Sequence, residues 1–367
     1  MTLIAAVGID TYPVIFGDLL VSGPEQLGPA PNNPPVDEIA NAFPPGSEGS
    51  IPELNQKVVL LGDHCVVAWA GTAASARPVI EALRAIASKA PLSMSIIDTY
   101  LSRLDPAMKD EVSLVGWVRE DGDFRQFWYR ADIAEGAMFG RISAAGSAGT
   151  PFVKLAAQIS GGAWNDPGRS LTGLHQALSS MLSATSLLLH AELGSQSDLL
   201  RYFGTGYEIA TFVGDRFAKV GDISFVFWMA DVTEGQIALN GPGFILKQDY
   251  AGEFLLLQVL KMHPGDAITE PPAVAESRRV IAPFGGPVDA ADAASISWPG
   301  MAATFTCHVV LVRSQKGTAV FNRIDYSESR TPSSIRFSSN GDRIRFEVSQ
   351  QFCEELAQSL RAGFAER

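Results

Sequence analysis

Thr2-Leu3-Ile4-Ala5-Ala6-Val7-Gly8, then Ile9-Asp10-Thr11-Tyr12, then Pro13-Val14-Ile15-Phe16-Gly17-Asp18-Leu19-Leu20-Val21, is the stretch whose reading decides the fold. Two short apolar runs, residues 3–8 and 13–21, flank a polar turn, and that pattern predicts a β-hairpin at the beginning of the sequence. A carboxylate, Asp18, stands inside the second run, where an unpaired charge is costly.

Working outward, residues 24–53 break the pattern with prolines at 24, 29, 31, 34, 35, 44, 45 and 52, and read as a Pro-rich insertion. Strands are expected near 57–61 and 65–70. Gly71-Thr72 opens a helix to about 89, and a second helix spans about 93–104 between Ser93 and Asp105-Pro106. Strands follow near 112–119, 124–130 and 138–144, helices near 150–160 and 170–193, and strands again near 207–213, 223–231, 234–240 and 252–260. Strands and helix pairs in that order do not fit a doubly wound parallel sheet. They predict an α+β fold, two antiparallel sheets face to face with a helix layer outside each. The expected organisation is one domain over 1–261, a Pro-, Ala- and Asp-rich linker over 262–300, and a small C-terminal α+β module over 301–367.

Composition narrows the function. With 46% hydrophobic and 19% charged residues, the chain carries neither a disorder signature nor a membrane-spanning run. A net charge of −12 disfavours nucleic acid and anionic membranes as partners, since both are bound by clustered Lys and Arg. Cys65, Cys307 and Cys353 are dispersed and no CxxC pattern occurs, so neither a disulfide framework nor a zinc site is expected, and no cofactor is implied. No Lys or Arg precedes the first apolar run, so the secretory-signal pattern is missing and a cytoplasmic location is expected.

Four residues in the first 71 suit one chemistry. Removal of Met1 makes Thr2 the first residue, and a free terminal amine, with an ordinary pKa of about 7.7–8.0, is a base able to take the proton of the adjacent hydroxyl. Lys57, opening the third strand, would hold that hydroxyl or be pushed toward neutrality by the amine, and Asp18 would anchor it. The N–H of Gly71, where a strand turns into a helix, could stabilise an oxyanion. The arrangement requires the Lys57 amine within about 2.6–3.2 Å of the Thr2 hydroxyl.

The opening Thr-Leu-Ile-Ala-Ala-Val, the Val-Ile-Phe-Gly-Asp of the second strand, and Lys57 followed by Trp69-Ala70-Gly71-Thr72-Ala73-Ala74 resemble proteasome β subunits and their bacterial relatives, N-terminal-nucleophile hydrolases. The resemblance extends over about residues 2–260, with its specific part in the first 75. It implies a four-layer αββα sandwich, hydrolysis of peptide or small amide substrates by a threonine nucleophile, and assembly into homo-oligomers. It assigns Thr2 as nucleophile, Asp18 and Lys57 as its supporting pair, Gly71 as oxyanion donor, and Ser147 of Ala145-Gly146-Ser147-Ala148-Gly149 as the serine near the nucleophile. The chain departs from the family at Arg201-Tyr202-Phe203-Gly204-Thr205-Gly206, where an Asp and a Ser are missing. A catalytically inactive assembly subunit is the alternative. A second is a serine hydrolase with Ser147 on a strand–turn–helix elbow and His263 or His308 as base.

Overall fold

The computed structural model describes residues 2–23, 50–158, 173–194, 206–233, 236–263, 273–284, 296–314, 317–328, 335–340 and 343–365. Most of the expected insertion and the Arg201–Thr205 stretch lie outside them. The chain divides into two compact units, one of Met1–Met181, Ala191–Val220 and Ile281–Asp289, the other of Leu182–His190, Gly221–Val280 and Ala290–Arg367.

In the first unit, β1 (Ile4–Ile9) and β2 (Tyr12–Asp18) form the expected hairpin, with Ile4 opposite Gly17 and Ile9 opposite Tyr12. Asp10 turns it with φ 54°, a left-handed conformation that short polar side chains tolerate. The hairpin is the centre of a six-stranded sheet, completed on one side by β10 (Gly140–Ala145) and β9 (Asp132–Gly136) and on the other by β11 (Tyr207–Val213) and β12 (Arg216–Lys219). A four-stranded sheet follows the order β5 (Val58–Leu60), β6 (Cys65–Gly71), β7 (Val112–Glu120), β8 (Asp123–Tyr129). The two-residue period of β6 divides its burial. Val66, Ala68 and Ala70 pack with Ile4, Ala6 and Ile15 of the first sheet, whereas Cys65, Val67 and Trp69 pack under α1 (Ala73–Ala87) and α2 (Met94–Ser102). Thr72 caps α1 by accepting from the Ser75 N–H, and Ser93 caps α2 through the Ile96 N–H. Strands with both faces covered read as continuous apolar runs, which is why β1 and β2 stand out in the sequence. Phe16, on the other face of β2, meets Phe152 of α4 (Gly149–Gln158) edge-on at 5.1 Å. The short ribbon β3 (Leu20–Gly23) and β4 (Ser50–Leu54) and the turn of helix α3 (Pro106–Lys109) complete the described part.

The second unit is built on another six-stranded sheet, in the order β16 (Ala273–Ile281), β15 (Phe254–His263), β14 (Gln236–Ala251), β13 (Ile223–Thr233), β17 (Phe305–Ser314), β18 (Gly317–Tyr326). β13 and β17 run parallel, from Ile223 opposite Phe305 to Val232 opposite Ser314. The ribbon β19 (Ile335–Asn340) with β20 (Arg343–Val348) and the helix α6 (Gln350–Ala365) close the chain. Phe352, Leu356 and Leu360, one stripe of α6, bury against Val226, Trp228, Ile245 and Val310.

This architecture corrects the expected four-layer αββα sandwich with a small appendage. The chain is a sheet-rich fold with three large sheets and few helices. Of the late strands assigned to the sandwich, only β11 joins the hairpin's sheet; β13, β14 and β15 instead share a sheet with β17 and β18, crossing the boundary expected at 261. The expected linker over 262–300 contains β16, and the expected helix over 170–193, α5 (Leu174–Gly194), is divided between the two units. Parallel pairing of β13 with a strand about 80 residues on leaves no local trace, since a run such as Phe225-Val226-Phe227-Trp228 suits any buried strand. No helix among the described residues is long and apolar enough to cross a membrane.

The second unit contains a buried histidine with a consequence for stability. The Trp228 Nε1–H donates to Nδ1 of His308 at 3.2 Å, which leaves the proton of neutral His308 on Nε2, 3.6 Å from Asp325 Oδ2. Burial lowers the His308 pKa against the upward pull of Asp325; burial also raises Asp325, but His308 and Arg323 outweigh that and bring it to about 2. Folding therefore favours neutral His308 and ionised Asp325. Both contributions are fully present above pH about 6.5, the unfolded value of His; the first is lost as pH falls below it, the second as pH falls from about 4 to 2. Denaturant unfolding followed by tryptophan fluorescence should lose stability between pH 7.5 and 5.5 in the parent chain, and a His308→Gln variant should flatten that slope. An equal slope in both would exclude His308 as its source.

Candidate active site

Asp18 ends β2 with its side chain fully buried, Lys57 directly precedes β5 and is equally buried, and Thr2 lies just before β1. The register of the hairpin and of the facing sheet brings them together. Lys57 Nζ donates to Thr2 Oγ1 at 2.9 Å, to Asp18 Oδ1 at 2.5 Å, and to the carbonyl oxygen of Leu20. Those acceptors match the three N–H bonds of an ammonium. Asp18 Oδ1 also accepts the Leu3 N–H at 3.0 Å, while the Asp18 N–H donates to Leu3 O at 2.9 Å, so the carboxylate fixes the backbone beside Thr2 as well as the lysine.

Ser147 is the fourth member. Its Oγ accepts from the Thr2 nitrogen at 3.1 Å, and the next residue, Ala148, donates its N–H to Thr2 O at 3.3 Å. The β10–α4 turn reaches this close because Gly146 adopts φ 93° and has no side chain; a Cβ there would lie 2.1 Å from Thr2 O. The turn is thus shaped around Thr2, which is 5% exposed.

Gly71 makes none of these contacts and is placed by register. Lys57 O accepts the Trp69 N–H, and Gly71 lies two residues farther along β6, exposed, with φ 109°. A Cβ would fall 1.8 Å from Glu111 O, so only glycine allows the strand to turn here into the N-terminus of α1. That keeps a backbone N–H and the positive end of a helix on the rim beyond Lys57.

Burial lowers the pKa of Lys57, and the charges of Asp18 and Glu208 oppose the shift. An amine so placed sits closer to proton exchange than an exposed lysine does. Glu208 carries no signal in a motif search. It belongs to β11, opposite Gly17, with its side chain fully buried, and its Oε2 accepts the Lys57 N–H at 2.5 Å and the Val58 N–H at 3.0 Å. What could have revealed it is a carboxylate inside Tyr207-Glu208-Ile209-Ala210, a strand too apolar to hold one unpaired.

A cavity of about 890 Å³ opens at the other end of the same strands, lined by Asp10, Tyr12, Trp117, Phe124, Arg125 and Phe212. Thr2 and Asp18 lie at the far ends of β1 and β2 from the Asp10 turn, so this space is separate from theirs. Among the described residues no three His, Cys, Asp or Glu side chains are grouped to hold a metal. Of the two histidines considered as a base for Ser147, His308 is buried in the second unit and engaged by Trp228 and Asp325, and the side chain of His263 lies outside the described part.

No family model matches the chain, and no curated protein is significantly similar to it. Together with the sheet-rich fold, this overturns the likeness to proteasome β subunits and N-terminal-nucleophile hydrolases read from the first 75 residues. The short motif that carried it fixes a local hydrogen-bonded cluster, and such a cluster does not define a family.

Proposed function

We propose that the protein hydrolyses amide or peptide bonds with the Thr2 hydroxyl as nucleophile, after the bond preceding Thr2 has been cut. The observation that supports this reading is the 2.9 Å contact from the buried Lys57 amine, itself held by Asp18, to Thr2 Oγ1. A solvated lysine would have no reason to be there.

Each group then has a task. Once the preceding bond is cut, the Thr2 nitrogen is an amine that takes the proton from its own hydroxyl as Oγ1 attacks the substrate carbonyl. Because Oγ1 already accepts from Lys57, charge developing on that oxygen is met by a buried ammonium, whose electrostatic stabilisation is strong. Ser147 Oγ orients the amine. The N–H at Gly71 is the candidate donor to the tetrahedral oxyanion. Collapse of that intermediate breaks the C–N bond, the protonated amine of Thr2 gives its proton to the leaving nitrogen, and an ester remains on Oγ1. Water, deprotonated by the same amine, cleaves the ester and restores the hydroxyl.

Intact-mass measurement after incubation with a peptide β-lactone, which acylates a nucleophilic hydroxyl and adds its whole mass, tests the reading. The adduct should lie on a peptide whose first residue is Thr2. Hydrolytically active protein that keeps Met1 throughout, or that is labelled elsewhere, would refute it.

A further inference from the structure

Behind Lys57 the structure holds a second buried charge pair. Glu208 Oε2 grips the N–H groups of Lys57 and Val58, while its Oε1 accepts from Lys219 Nζ at 2.6 Å. Lys219 also donates to Gln56 Oε1, and Gln56 is tied down in turn: its Nε2 donates to Ile281 O at 2.8 Å, and its carbonyl accepts the Trp69 Nε1–H at 3.3 Å. The Glu208 and Gln56 side chains are fully buried, and that of Lys219 is 14% exposed. The anchors converge on residues 56–58, so the backbone from which the Lys57 side chain departs toward Thr2 is fastened from several sides.

We infer that Glu208 and Lys219 are a positioning pair for Lys57. Glu208 fixes its backbone and favours its protonated form through a buried negative charge, and Lys219 offsets part of that charge. The inference takes its catalytic meaning from the proposed role of Thr2. Three features make the pair more than a structural clamp. A carboxylate is not needed to accept two backbone N–H groups, which a neutral amide oxygen also does. A full negative charge kept in a dry site acts on the nearest cations, and Lys57 is one of them. Its upward pull on the Lys57 amine opposes the downward effect of burial. The charges of Glu208 and Lys219 have opposite effects on Lys57, and their balance adjusts the protonation that burial and Asp18 set first.

The test is a titration of the Lys57 ¹³Cε resonance by NMR in the full chain grown on ¹³Cε-lysine, with Lys57→Arg identifying the signal. Glu208→Gln should lower the midpoint by about one pH unit or more. Lys219→Met, which leaves Glu208 uncompensated and alters only a partly exposed residue, should raise it. Glu208→Gln with Lys219→Met should bring it back toward the parent value. Midpoints that do not move, or that move in the same direction in both single variants, would overturn the inference; should Glu208→Gln fail to fold, the sign of the Lys219→Met shift decides alone. No substrate enters this measurement, so a missing adduct on Thr2 would refute the proposed function and leave the titration result standing. Where the adduct forms, the alkaline limb of its pH profile should move down with the Lys57 midpoint in Glu208→Gln, a change that mere loosening of the strand would not produce.

Discussion

Thr2→Ala should lower the rate of β-lactone adduct formation and of amide hydrolysis at least roughly a thousandfold, while Thr2→Ser retains a measurable part of both. The alanine keeps the terminal amine, Lys57 and Asp18 but removes the one atom that can form the ester. The serine keeps that atom and loses only a methyl group. Both variants should fold, because Thr2 precedes β1 and its backbone contacts, Thr2 N to Ser147 Oγ and Ala148 N to Thr2 O, do not involve the hydroxyl. The loss of the Lys57–Thr2 hydrogen bond in Thr2→Ala should cost about 1–3 kcal/mol, since a buried charged donor gives up one acceptor. Mass spectrometry of timed aliquots reads the chemistry, and thermal unfolding reads the stability. An alanine variant that labels as fast as the parent would place the nucleophile elsewhere, and an inert serine variant would mean that the threonine methyl group holds the hydroxyl in its reactive rotamer.

These residues were legible in the sequence for a physical reason. Asp18 and Lys57 are charges placed in or beside apolar runs, so each demanded a partner, and the chemistry of a threonine nucleophile, with the resemblance of the first 75 residues, named them as partners of one another. Ser147 and Gly146 were legible as a small-residue turn between a strand and a helix. Glu208 has the same character as Asp18, a carboxylate in an apolar strand, yet it was missed because its partners, the backbone at Lys57 and Val58, are about 150 residues away in sequence and a backbone N–H has no sequence signature.

The fold was legible only as far as its local pairings. The β1–β2 hairpin, the β6 strand leading into α1, and the β7–β8 hairpin are specified by turns and periods within about 20 residues. The global arrangement depends on which edge strands find each other. β11 adds to β2 and β13 pairs with β17, though the runs Ile209-Ala210-Thr211-Phe212 and Phe225-Val226-Phe227-Trp228 both suit a buried strand. Glu208 gives a physical ground for the difference: β11 carries the carboxylate that the Lys57 backbone needs, whereas the carboxylate of β13, Asp231, pairs with Arg313 of β17. A four-layer sandwich was inferred from element order and from the resemblance of the first 75 residues, and neither encodes that choice.

Lys57→Met should destabilise the first unit by about 3–5 kcal/mol, because it leaves the fully buried Asp18 carboxylate without its cation and the Leu20 carbonyl without its donor. Methionine fills most of the space of the lysine stem, so the cost comes from the orphaned charge and not from a cavity. If so, adding Asp18→Asn should return much of the lost stability, since Asn Oδ1 can still accept the Leu3 N–H and no charge remains buried at position 18. Activity should not return, because neither variant offers an ammonium to the Thr2 oxygen, and adduct formation should stay on the order of 10²-fold or more below the parent. The double variant separates the two duties of Lys57. Denaturant midpoints measured at pH 7 test the recovery, and a double variant no more stable than Lys57→Met alone would mean that Asp18 was never the source of the penalty. Recovery of stability together with recovery of labelling would instead remove Lys57 from the chemistry and leave the terminal amine to activate Thr2 unaided.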